Sequence, residues 1–330
     1  MKKRITILSL ITFFMILNFA DYALGQGIDK VGTTSFQFLK VAPDARSTGM
    51  GEAYTSIVNT SEAVFWNPAA LVRVNTFDVA TSYVDWLLDI SHFSFAAAYQ
   101  IEDIGTIGVQ GIMTDIGEIE ETRVDHLYRD EALGIYNPGL TGNTVTPGAM
   151  VFGISFARRL TDKFSFGITA KYAHEDLVVK TASSLIFDGG VLFNTGYKSL
   201  VLSAVLRHFG AQVKYFDKSY PLPQTFTLGI SGYLLGQRNS LVFDSDENKL
   251  LLSYDLSQPR DYSQQHHLGL EYSFRDMFFL RGGYKINFDE EGLTYGFGIA
   301  YTGIRVDYSY CDFGEFLNAV NRFSIGYNFE

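Results

Sequence analysis

His266 and His267 stand side by side, and an adjacent imidazole pair is a natural place to look for a metal site or a general base. On an extended strand, however, successive side chains point to opposite faces, so the two rings cannot chelate one ion together. Asp289, Glu290 and Glu291 gather three carboxylates in a short stretch that reads as a solvated turn, with surface cation binding as the lesser alternative. "GMGEAY" and "GFGIAYTG" each carry spaced glycines, but neither has the G-x-G-x-x-G spacing of a phosphate-cradling turn. The single cysteine, Cys311, can form neither an intramolecular disulfide nor a multi-thiolate site and reads as a small side chain in a strand. The chain thus reads as a non-enzyme with no catalytic residues, no cofactor and no metal. Its formal charge of -10, without a run of Lys or Arg after residue 4, also supplies no basic stripe for nucleic acid.

The elements that carry these residues repeat with period two. In "LTYGFGIAYT" one face is Leu293, Tyr295, Phe297, Ile299 and Tyr301, and the other is Thr294, Gly296, Gly298, Ala300 and Thr302. "NRFSIGYNFE" sets Phe323, Ile325, Tyr327 and Phe329 against Ser324, Gly326 and Asn328 in the same way. The second face of a soluble sheet meets water and is usually rich in Lys, Glu and Thr; here it is mostly Gly, Ala, Ser and Thr, with occasional charges at Asp188, Arg281, Arg305 and Asp307. Such a pattern fits an outer-membrane barrel whose aromatic face meets lipid and whose small-residue face lines the lumen. A charge added on the lumen face, for instance at Ser324, is expected to be hydrated, whereas one at Ile325 would sit in hydrocarbon.

Counting these segments predicts an all-β fold, a transmembrane antiparallel β-barrel of about 14 strands. Connections such as "IED", "LTDK" and "TG" are short, while 117–148 and 210–222 are long, which predicts periplasmic turns on one side, extracellular loops on the other and both termini at the periplasmic side. "MKKR", the apolar "ITILSLITFFMILNFA" and "ALG" before Gln26 predict a cleaved signal peptide over 1–25, hence export to the outer membrane. Residues 26–75 do not alternate. Between 33 and 72 they read as short helical pieces broken by Pro43, Gly49, Gly51 and Asn67-Pro68, an N-terminal plug for a lumen too wide for its own side chains, with the barrel over 76–330.

"APDARSTGMGEAYTS" followed by "SEAVFWNPAAL" resembles the amino-terminal region of FadL-like outer-membrane proteins, and most closely the PorV/PorQ branch associated with type IX secretion. The carboxyl-terminal "RVDYSYCDFGEFLNAVNRFSIGYNF" is similar to the same branch. The resemblance implies a fourteen-stranded barrel with a hatch. It leaves two functions open. PorV-like members bind secreted cargo proteins and work with other secretion components to deliver them to the cell surface, whereas FadL-like members carry hydrophobic small molecules across the outer membrane. The matching residues Arg46, Gly49, Gly51, Asn67 and Pro68 belong to the hatch, where the glycines allow close backbone approach and Asn67-Pro68 ends a helical piece. Within the long loop 117–148, Leu127, Tyr128, Leu133, Ile135, Tyr136 and Leu140 offer apolar contacts among polar neighbours, a composition suited either to docking a protein or to covering the barrel mouth.

Overall fold

A computed structural model of the chain describes residues 31–131, 134–237, 239–314 and 317–329. The expected signal peptide and its cleavage site lie outside the described residues, as does Leu133.

Fourteen strands form the wall: β1 (Phe77–Asp85), β2 (Ser91–Ile101), β3 (Gly105–Asp115), β4 (Gly148–Arg159), β5 (Phe164–Asp176), β6 (Thr181–Asn194), β7 (Val201–Gly210), β8 (Thr225–Gly236), β9 (Asn248–Pro259), β10 (Gln265–Phe274), β11 (Phe278–Ile286), β12 (Leu293–Tyr301), β13 (Ile304–Cys311) and β14 (Val320–Phe329). Each pairs antiparallel with its sequence neighbour, and β14 returns to β1 in register from Phe77↔Phe329 to Asp85↔Asn321. The sheet therefore closes as a barrel, which leaves no open edge in hydrocarbon. Alternation decides which side faces out. Phe323, Ile325, Tyr327 and Phe329 are exposed on the outer surface, while Ser324 is buried.

The connections alternate between two rims: the long ones, 116–147, 211–224 and 312–319, share one rim with the shorter 86–90, 177–180, 260–264 and 287–292, and the other rim carries short turns apart from 237–247. Segment 116–147 is not the irregular loop its length suggested. It folds into a separate two-stranded hairpin, Ile119–Asp130 with Ile135–Val145, and is referred to below as the outer hairpin. Thr122, Val124 and Tyr128 are strand formers at even spacing, but charged residues between them leave no apolar face to mark a strand.

Residues 31–74 fill the lumen as the expected series of short turns. Asp44 caps α1 (Ala45–Gly49) by accepting from Ser47 N at 2.8 Å, and its other oxygen accepts from Trp66 Nε1 at 2.6 Å. After α2 (Ala63–Trp66), Asn67 caps a 3-10 turn over Pro68–Arg73, with proline at its favoured first position. Both ends of the barrel wall lie at the short-turn rim, as expected. The hatch, however, starts at the opposite rim, where Ser35 N donates to Pro221 O at 2.9 Å and Thr34 Oγ1 to Asp261 Oδ2 at 2.8 Å. It then runs down the lumen into β1. The barrel's apolar core is this hatch against the wall: Met50, Tyr54, Val64, Trp66 and Leu71 cluster with Ala96, Ala98, Ala157 and Leu192.

Candidate functional site

Glycine faces glycine where the hatch crosses the wall. A Cβ on Gly49 would come within 2.9 Å of the Gly296 backbone, and one on Gly51 would come as close to Tyr284 N. Gly51 also has φ +60°, which an L side chain rarely adopts. From the wall side, a Cβ on Gly283 would overlap the Met50–Gly51 backbone, one on Gly167 would overlap Pro68, and one on Gly190 would overlap Asn67. Asn67 reaches further: its Nδ2 donates to Thr55 O at 2.9 Å and to Val191 O at 3.3 Å, tying two hatch segments to β6. Gly49, Gly51, Asn67 and Pro68 are thus brought together as packing contacts between hatch and wall.

Arg46 binds the wall by charge. Its Nε and Nη2 donate to the two oxygens of Glu271 at 3.0 and 2.9 Å, and Nη1 to Asn59 Oδ1 at 2.7 Å. Glu271 also accepts from Arg281 Nε at 2.6 Å, and Arg281 Nη1 in turn donates to Asp307 at 2.6 Å. Asp78 joins wall to hatch in the same manner, accepting from Arg305 Nη1 at 2.7 Å and from Ser61 N at 2.7 Å. Lys285 pairs with Glu52 at 2.5 Å and with Glu291, and Lys171 with Asp188 at 2.5 Å. A buried charge is tolerated when paired and hydrogen-bonded, so Arg281, Arg305 and Asp307 belong to networks that reach the hatch, while Asp188 ties wall strands to one another. The lumen face is therefore not a hydrated surface. Ser324 itself accepts from Ala45 N at 2.9 Å and lies 2.7 Å from Ser82 Oγ, so an Arg there would collide with the hatch and not reach water.

A cavity of about 270 Å3 remains between hatch and wall. Phe65, Trp66, Ile112 and Val151 give it an apolar side, and Gln110, Lys171, Arg207, Asp255 and Lys285 a polar one. Tyr262, Gln265, Phe288 and Glu291 border both this cavity and a second of about 220 Å3 toward the long-loop rim. His267, which also lines the cavity, is within 2.8 Å of Gly51 O through Nδ1, while His266 lies beside Tyr254, 2.7 Å away. The two rings do point apart, as strand geometry requires.

The outer hairpin behaves differently. Leu127, Tyr128, Ile135, Tyr136 and Leu140 are all exposed. Pairing of Leu127 with Pro138 and of Arg129 with Tyr136 puts Leu127 and Tyr136 on one face, leaving Tyr128 and Ile135 on the other. The apolar residues that stand among polar neighbours in the sequence are thus divided by the strand pleat between two faces. Hydrogen bonds from Arg123, Thr141 and Asn143 hold the Glu121 carboxyl below its usual range.

A family model described as "Type IX secretion system protein PorV" matches residues 25–190. The chain belongs to the PorV family. Among solved structures, this PorV-family barrel is similar to the Ralstonia pickettii toluene transporter TbuX, with TM-score 0.55 and 14% identity over 89% of this chain and 100% of that one. It is also similar to the Pseudomonas putida toluene transporter TodX, with TM-score 0.56 and 13% identity over 86% and 97%. At such identities the likeness is one of fold: an outer-membrane barrel with its N-terminal hatch. No curated protein sequence matches the chain. For this PorV-family member, sequence reasoning found the hatch motif but missed its partners Glu271, Gly283 and Gly190, which lie far from the motif along the chain. Their one local signal is a charge or glycine on an otherwise small-residue face.

Proposed function

We propose that this outer-membrane barrel binds secreted cargo proteins at its extracellular rim and helps deliver them to the cell surface in type IX secretion, acting as a binding protein and not as an enzyme. The reading includes export through a cleaved signal peptide, with the mature chain starting near Gln26. The observation that carries it is the outer hairpin. Two strands, Ile119–Asp130 and Ile135–Val145, stand outside the barrel sheet with most of their residues exposed, and they present aromatic and aliphatic side chains on both faces. Tyr and other large apolar groups ringed by polar residues suit protein recognition. The filled lumen favours a docking role over free diffusion through the barrel.

Deleting 125–140 should leave the barrel assembled, seen as heat-modifiable mobility on a gel, while cargo accumulates in the periplasm instead of at the surface. Normal cargo secretion and surface attachment in that strain would overturn the reading. A second reading, transport of hydrophobic small molecules, is favoured by one feature, the lumen cavity that continues toward the long-loop rim. It requires the same deletion to impair growth on a hydrophobic substrate while secretion stays normal.

A further inference from the structure

Charges at the short-turn rim are unevenly matched. Where β9 and β10 reach it, Lys249 pairs with Asp276 at 2.5 Å and Arg275 with Glu247 at 2.7 Å. The β4–β5 and β6–β7 turns instead carry Arg158, Arg159, Lys163 and Lys198 against one carboxylate, Asp162, and among the described residues none of these four cations forms an ion pair. Arg159 Nη2 donates to Val72 O at 3.2 Å, and Lys198 Nζ to Ser240 O and Leu241 O at 2.7 and 2.9 Å. The charged groups of Arg158 and Lys163 meet no acceptor among the described residues, and both side chains are exposed.

Arg158 stands on the face that meets lipid. β4 turns Phe152 and Ile154 to the outer surface, and alternation brings Arg158 to the same face just beyond Phe156. Its cross-strand neighbour is Phe166 of β5, and Leu160, two residues further on, is 57% exposed. Lys163 extends over the next turn: its ammonium would lie 2.7 Å from a Cβ built on Gly196, beside the exposed Tyr197. A tyrosine below an aliphatic band marks the level of the lipid head groups. A single cation there reaches water along its own stem. Two on adjacent turns, with no carboxylate to neutralise them, leave a positive field at the membrane surface.

We infer that the β4–β5 and β6–β7 turns form a docking site for an anionic glycerophospholipid of the leaflet that meets the short-turn rim, the periplasmic one in an outer-membrane barrel. The Arg158 fork takes the phosphodiester through parallel N–H···O bonds, and Lys163 adds a second charge, which disfavours a zwitterionic head group with a cation of its own. The acyl chains lie along Phe152, Ile154 and Phe156, continuous with the lipid-facing wall. Free phosphate has the same oxygens but no chains for that band. The other end of β4 leads from the outer hairpin, so the lipid anchors the strand on which the hairpin stands. The site does not depend on the cargo reading.

The test uses the full barrel in detergent micelles, its folding checked by heat-modifiable mobility, with native mass spectrometry counting the lipids that stay bound. Phosphatidylglycerol should be retained in preference to phosphatidylcholine, and excess glycerol phosphate should not displace it. Arg158→Gln/Lys163→Gln should weaken phosphatidylglycerol binding about tenfold or more, the scale of two cations beside an anionic lipid. Arg158→Lys, which keeps the charge but not the fork, should lose less. Lys214→Gln/Lys218→Gln, which removes the same charge from the long-loop rim, should change nothing. Equal retention of the two lipids by the wild type would overturn the proposal. So would displacement by glycerol phosphate, which would mark a site for free phosphate, or equal losses in the two double variants, which would mean that only net charge matters. Should Arg158→Gln/Lys163→Gln fail to fold, Arg158→Lys and the two lipids against glycerol phosphate on the wild type still decide it.

Discussion

Inside the barrel, the hatch meets the wall through glycine backbones and buried ion pairs; beyond the rim, the outer hairpin stands on its own backbone ladder with both faces open. Each contact in the first region is shared with a residue from a distant strand, so it is held by the whole closed sheet. The second region is held only locally, and a lone two-stranded hairpin in water is marginally stable. The first set of contacts therefore opens only with the barrel, whereas the second can open by itself.

The largest effect that would break this contrast comes from two adjacent glycines of β11. Gly283 faces the hatch, and any side chain there overlaps the backbone at Gly51, whereas Gly282 has no atom within 4 Å of an added Cβ. Gly283→Val should abolish heat-modifiable barrel or leave a hatch that protease removes, and Gly282→Val should yield folded barrel at the normal level. Equal yields from the two variants would mean that hatch and wall do not seal in this register. Next in size is Glu271→Leu, which strands Arg46 and Arg281 without their shared carboxylate. Loss of one partner from a buried pair costs about 3–5 kcal/mol, so urea should release the hatch at a lower concentration while the wall persists. Unchanged protection of the hatch would show that glycine packing alone holds it.

The smallest effect lies in the outer hairpin and sharpens the comparison from the other side. Because the folded hairpin lowers the Glu121 pKa, its contribution is present above the unfolded value and is lost as pH falls through the lowered one. Amide protection in 119–145 should decline once pH drops below 4.5, the ordinary value of this side chain, while protection in β1–β14 is unaffected. Hairpin amides that stay equally protected in acid would indicate support beyond the local network.

Much of this architecture was legible along the chain, since strand period, face composition and turn length are local properties. The wall holds fourteen strands, the number that the alternating segments predict. The aromatic residues of β12 and β14 lie outside because a two-residue period leaves them no other face. Pro43, Gly49, Asn67 and Pro68 marked the hatch turns for the same reason, as breakers and caps act within a few residues of their own backbone, whereas the cap at Asp44 was not singled out.

Partnership across the lumen was decided only by the closed barrel. Arg46 lies 225 residues before Glu271 in the chain, and nothing local couples the two until the sheet curls round the hatch. The same holds for Gly51 against Gly283, and for the lumen face at Ser324, which composition alone presents as a wettable wall but the hatch covers. His208 is the sharpest case. A strict alternation puts Arg207 inward with Ser203 and Val205 and would turn His208 outward, and only the bulge opposite Asp188 brings His208 inward as well, where its N–H meets that carboxylate.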